Sequence, residues 1–142
     1  KNIEVKIFNN ASILTAIGIT GLSLYNFGKV ASIPFDNERI NTPIKILNDN
    51  LRINAHTLFL LDLNPGENKY LSIRNAIDYL EGKGVKGKVI GCARLGAEDF
   101  IVKYGEMKNI RNIDFGKAPY CLIIPAKKLH FVEEEVLAKW KI

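Results

Sequence analysis

Three features of this 142-residue sequence predict an α/β fold, a β-sheet with helices packed on it. Apolar runs of strand length alternate with segments whose apolar residues recur at helical spacing. Turn and cap residues fall between those runs. Two strand-like runs, residues 88–93 and 100–104, are joined only through LGAED, which hints at an antiparallel hairpin within the sheet. Periodicity alone leaves open whether the sheet is parallel or mixed.

Taken in order, residues 3–8 (IEVKIF) read as a strand. The segment NASILTAIGITGLSLYNFGK follows, with a helical pattern over 12–25 stopped by Asn26 and Gly28, and Ser12 as N-cap. Ala11, Ser12, Thr15, Ala16, Gly18, Thr20, Gly21 and Ser23 stand where a surface helix carries Lys and Glu. Such a stripe lets a neighbour approach the backbone closely, as the wall of a binding site or as a tightly packed interface helix. A strand over 30–35 precedes a helix over 43–54, with Thr42 as N-cap and Pro43 at the first helical position. A strand over 56–63 leads to a helix over 72–81, where Ile73, Ala76, Ile77 and Leu80 share one face and Gly82 and Gly84 end it. After the 88–93 and 100–104 strands come a short helix over 105–110 and a strand over 120–125. The last helix covers 132–139, with Glu133, Glu134 and Glu135 in its first turn, where negative charge favours the helix dipole.

The composition, 47% hydrophobic and 25% charged, is that of an ordinary globular domain. No apolar run approaches the roughly 18 residues a membrane-spanning helix needs. No targeting segment is visible, and a chain that starts at Lys1 inside a strand pattern reads as a fragment. The net charge of +5 comes from scattered lysines, not from a concentrated basic face interleaved with aromatics, so no nucleic-acid partner is expected. Cys92 and Cys121 each lie in an apolar run without metal-ligand spacing and read as reduced core residues.

The stretch from Gly82 to Val89 nearly spells a phosphate-binding loop. It has Val89 where a magnesium-binding Ser or Thr belongs, and it runs from helix to strand, the reverse of the required order. His56 and His130 have no third residue that completes a metal set, and no Ser sits in a nucleophile elbow, so both histidines read as packing or hydrogen-bonding groups. No paired-carboxylate acid/base site stands out, and no catalytic residue is assigned. What remains is a set of strand ends: Leu61–Asp62, Ala93-Arg94-Leu95-Gly96 and Pro119-Tyr120. In open α/β sheets ligands collect beyond the carboxyl ends of strands. With Ser12–Ile13 beside that edge, the inferred site is apolar and built largely from backbone. It suits a nucleoside-like ligand that brings its own reactivity.

At these residues the chain resembles the C-terminal part of the diphthine synthase family of tetrapyrrole-methylase-type methyltransferases. The matching segments are ASILTAIGITGLSLYNFGK (11–29), AHTLFLLDLN (55–64), CARLG (92–96), DFGKAPYCLIIPAKKLHFVEEEVL (114–137) and, more loosely, KYLSIRNAIDYL (69–80). The resemblance implies a mixed sheet in the C-terminal domain of a two-domain enzyme. It implies methyl transfer from S-adenosylmethionine, with S-adenosylhomocysteine as product, to a modified histidine of translation elongation factor 2 in diphthamide biosynthesis. It also implies a cytoplasmic homodimer, archaeal in type. Carried over by position, the cofactor contacts are Ser12, Ile13, Leu61, Leu95 and Tyr120; the family often has Ala where Leu95 stands and His where Tyr120 stands. Residues 1–10 would be the last strand of an N-terminal cofactor-binding domain that is missing here, and 11–142 the C-terminal methyltransferase domain. The chain alone is then expected neither to bind the cofactor tightly nor to methylate. The alternatives are a non-catalytic dimerisation or binding domain, and a tetrapyrrole methylase of the same superfamily.

Overall fold

Near-continuous apolar runs on the central strands bury both faces of one sheet, and helices from either side cover them. The computed structural model describes residues 11–142; the strand expected over 3–8 lies outside the described residues. The sheet contains β1 (Ala31–Ile33), β2 (Thr57–Leu61), β5 (Lys88–Ala93), β6 (Ile101–Glu106) and β7 (Tyr120–Ile124), and a separate small hairpin pairs β3 (Leu63–Asn64) with β4 (Lys69–Tyr70). The order is β1-β2-β7-β5-β6, with β1 parallel to β2 and every other pairing antiparallel, so the sheet is mixed. The expected hairpin is present: Lys88 faces Glu106 and Ala93 faces Ile101 across β5 and β6.

The helices are α1 (Ile13–Ala16), α2 (Thr42–Arg52), α3 (Ile73–Gly82), α4 (Met107–Ile110) and α5 (Phe131–Ala138). One sheet face, through Ile33, Phe59, Leu122 and Val89, packs on Leu47 of α2, Ile77 and Leu80 of α3, and Ile110 of α4. The other, through Leu58, Ile90, Cys121 and Ile123, packs on Ile17, Leu22 and Leu137 of α5. Each such side chain, taken wholly out of water, contributes about 1.5–3 kcal/mol of transfer free energy. The period-2 pattern of β7 and the 3.6-residue pattern of α3 thus meet on the first face.

Three sequence expectations are corrected. The helix expected over 12–25 is broken: α1 passes into a 3-10 turn at Ile17–Thr20, Gly21 turns left-handed at φ +88°, and a second 3-10 turn covers Leu24–Asn26. The cause is tertiary. Gly21 lies so close to α5 that an added Cβ would stand 2.2 Å from Val136 Cγ1, and Ser23 N–H donates to Glu133 Oε1 at 2.9 Å. Helix α2 includes Thr42, and Asn41 occupies the N-cap position without a side-chain bond, so Thr42 is not the cap. The expected 56–63 strand ends at Leu61, and the β3–β4 hairpin folds around Pro65–Glu67 with Asn68 left-handed at φ +51°. The expected Ser12 cap holds, accepting from Leu14 N–H at 3.2 Å, while Ser72, expected as the first helical residue, instead caps α3 by accepting from Asn75 N–H at 3.1 Å.

Candidate functional site

The strand directions bring the carboxyl ends of β1, β2 and β5 to the same edge as the start of β7. Leu60 pairs with Cys121, so one step further Leu61 lies opposite Tyr120. On its other side Tyr120 pairs with Ala93, two residues before Leu95. Ile13 and Leu95 pack against the same core cluster on one sheet face, while Leu61 and Tyr120 pack toward the other. The strands therefore set Leu61 and Tyr120 side by side at the edge, with Leu95 just beyond it. Ser12 precedes α1 on the Leu95 side, and its hydroxyl is engaged with Leu14 N–H.

Side chains at this edge are largely committed elsewhere. Leu61 is buried in the core, leaving only its backbone to face a ligand. Tyr120 donates its hydroxyl proton to Gly116 O, and burial, then the Asp114 charge, pushes that phenol above its ordinary range. Asp114 Oδ1 accepts from Gly116 N–H at 2.8 Å. Unusual backbone gathers here as well. Arg94 is left-handed at φ +55°, Gly96 at φ +92°, and the Ala118–Pro119 bond is cis. A non-glycine residue held in the left-handed region carries strain that the surroundings must impose. Arg94 N–H donates to Pro119 O at 2.9 Å, and its Nε lies 2.7 Å from Asp99 Oδ1. That partner holds the Asp99 carboxyl below its usual range.

Two open cavities flank the Leu61–Tyr120 pair. One, of about 310 Å³, is lined by Ile33, Pro34, Leu61 and Asp62. The other, of about 330 Å³, lies between the start of α3 and the 112–116 loop and reaches Tyr120. Sequence reasoning passed over Asp62 as a functional group. Its carboxylate accepts from Leu63 N–H at 3.0 Å and Phe35 N–H at 3.3 Å, joining the turns after β1 and β2. A carboxylate after an apolar strand was the available signal.

The other concentration of polar groups is wholly buried. His56 Nδ1 accepts from Ala126 N–H at 2.9 Å, so Nε2 carries the ring proton and points it at Glu133 Oε1, 3.1 Å away. Burial lowers the His56 pKa against the opposing pull of Glu133. Burial also works against Glu133, yet the donors Ser23 N–H and His130 N–H hold its pKa down to about 2. Glu133 and His130 form a reciprocal capping box at the start of α5. Bonded on all these sides by protein, the pair is a structural latch between the entry to β2, α5 and the segment after Gly21. Among the described residues no three His, Cys, Asp or Glu side chains gather as a metal site.

The walls of Ile33, Pro34 and Leu61 beside the Asp62 carboxyl group are of a mixed kind that an adenosyl group would fit. No protein-family model matches the chain. A diphthine synthase of Methanosphaera stadtmanae is 37% identical over 149 residues, covering 96% of this chain and 56% of the relative. The diphthine synthase of Methanocaldococcus jannaschii is 40% identical over 150 residues, covering 96% of this chain and 58% of the relative. A crystal structure of diphthine synthase superposes with a TM-score of 0.83 at 36% identity, covering 92% of this chain and 52% of that one. The chain thus spans somewhat over half the length of the relatives it matches. In sequence and in fold, it corresponds to the C-terminal portion of the diphthine synthases.

Proposed function

We propose that this chain supplies the C-terminal wall of an S-adenosylmethionine pocket in a diphthine synthase. Its protein substrate is then the modified histidine of translation elongation factor 2. The observation that carries the reading is the juxtaposition of Leu61 with Tyr120, and Leu95 just beyond, in a chain matching only part of its relatives.

 Residues Ser12, Ile13, Leu61, Leu95 and Tyr120 would hold the cofactor, mainly through main-chain atoms, because the Leu61 side chain is buried and the Ser12 and Tyr120 hydroxyls are already bonded. The cofactor's sulfonium supplies an already activated methyl group. The protein's part is to orient the acceptor amine and to exclude water, and the edge's apolar walls serve the second task. The other half of the pocket would come from the part of the relatives that this chain does not match. The working enzyme is proposed to be cytoplasmic, as the resemblance to the diphthine synthases implies.

A second reading, compatible with the first, is that the chain forms a homodimer. Leu14, Ile19, Leu24, Tyr25 and Phe131 expose apolar surface around the broken first helix and the start of α5, which supports an interface there. Light scattering on the chain, with and without the N-terminal half, reads this out.

Calorimetric titration with S-adenosylmethionine tests the main reading. The isolated chain is expected to show no micromolar binding, and a polypeptide that adds the N-terminal half is expected to bind. Micromolar binding by this chain alone would refute the half-pocket, and a full-length protein that ignores the cofactor would refute the methyltransferase assignment.

A further inference from the structure

Cys92 and Cys121 are separated in sequence, but the antiparallel register of β5 and β7 pairs them directly. Paired residues on neighbouring strands point to the same sheet face, and both thiols belong to the core cluster beneath α5. Both are free and buried. Arg94 N–H donates to Pro119 O, so the alternation of the ladder makes Cys92 and Cys121 a hydrogen-bonded pair. Such pairs place their Cα atoms about 5.5 Å apart, within the roughly 4.4–6.8 Å that a disulfide spans.

We propose that Cys92 and Cys121 form an oxidative modification site, a cross-strand thiol pair that a peroxide converts into a disulfide. The step balances with one peroxide. The Cys121 sulfur, as thiolate, attacks a peroxide oxygen, the O–O bond breaks, and a sulfenic acid and hydroxide result, the hydroxide taking up a proton to become water. The Cys92 sulfur then attacks the sulfenic sulfur, the S–S bond forms, and the second oxygen leaves as water. Two thiols are oxidised and hydrogen peroxide is reduced to two waters.

The position of the pair sets its reactivity. Cys121 is the second residue of β7 and Cys92 the last but one of β5, so both lie near the strand ends. Opening of those ends admits a small oxidant without unfolding the sheet. Hydrogen bonding to the Cys121 thiol, and then burial, push the Cys92 thiol well above its ordinary range, which makes the reaction slower than at an exposed cysteine. Cross-strand Cβ atoms start about 4.5–5.5 Å apart, at or beyond the upper end of disulfide geometry. Closure therefore draws the strands together, and the bond is readily reduced again.

The test is incubation of the folded chain with hydrogen peroxide at neutral pH, followed by alkylation in denaturant, intact mass and peptide mapping. The expected product is a monomer two hydrogens lighter that takes up no alkylating agent, contains a Cys92–Cys121 linked peptide and reverts with dithiothreitol. Two alkylatable thiols, after an exposure that oxidises the urea-unfolded chain, would overturn the proposal. So would sulfinic acid or chain-to-chain disulfides in place of the intrachain bond. Because mass alone reads the result, it is independent of the cofactor assignment.

Discussion

His56 and Glu133 meet in the interior with Nε2 and Oε1 3.1 Å apart, and the Ala126 N–H on the far ring nitrogen fixes which of them holds the proton. A second proton on His56 would face that N–H donor directly. The neutral imidazole is therefore the form the fold requires, and the carboxylate of Glu133 is the form its three N–H donors require.

The pair makes the fold acid-sensitive. Both groups bind protons more weakly folded than unfolded, so their stabilisation is complete above the ordinary values and is lost as pH falls. For His56 the loss starts below its ordinary value of 6.5, and for Glu133 it runs from 4.5 down toward about 2. Across its window the Glu133 shift corresponds to about 3 kcal/mol. Urea unfolding midpoints are expected to fall steadily from pH 7 to pH 3. In Glu133→Gln they should start lower and lose the part of that slope below pH 4.5. A wild-type midpoint that stays flat over this range would remove the argument.

Two glycines of one segment should answer oppositely to alanine. At Gly21 the left-handed backbone and the contact with Val136 both exclude a Cβ, so Gly21→Ala is expected to cost roughly 2–5 kcal/mol. At Gly18 the nearest atom to an added Cβ is Leu24 Cδ1 at 3.5 Å, an ordinary contact. Gly18→Ala should be neutral or should stabilise by up to about 1 kcal/mol through lost chain entropy. Thermal melts of the two variants check the contrast.

Asn50 acts as a bracket between α2 and the entry to β1. Its Oδ1 accepts from Lys29 N–H at 3.0 Å, while its Nδ2 donates to Lys29 O at 2.8 Å and to Thr57 Oγ1 at 3.0 Å. Asn50→Leu leaves those buried partners unpaired and is expected to cost about 3 kcal/mol, measured by urea unfolding. Asn50→Asp, which keeps one acceptor and turns the Lys29 O contact repulsive, should also destabilise.

If the cofactor edge works through main-chain atoms, conservative side-chain changes there should matter little. Tyr120→His and Leu95→Ala, made in a polypeptide that includes the N-terminal half, are expected to change cofactor affinity by less than about threefold, roughly 0.7 kcal/mol. Tyr120→Phe should cost the chain about 1 kcal/mol of stability by releasing Gly116 O. A tenfold or larger loss of affinity in either edge variant would show that side chains form the pocket.

What the sequence by itself determined was local. The continuous apolar run of 120–124, the 3.6-residue period of α3, the Ser12 cap and the short link between β5 and β6 are all properties of neighbouring residues, and the matching elements form. The strand ends carrying Leu61, Leu95 and Tyr120 were legible for the same reason. Tertiary structure decided what depends on distant partners. The helical pattern of residues 12–25 is intact in the sequence, yet Val136 and Glu133, more than a hundred positions away, break it at Gly21. Strand order, the pairing of Cys92 with Cys121 and the tautomer of His56 have no local signal, because each is set by which segment the folded chain brings alongside.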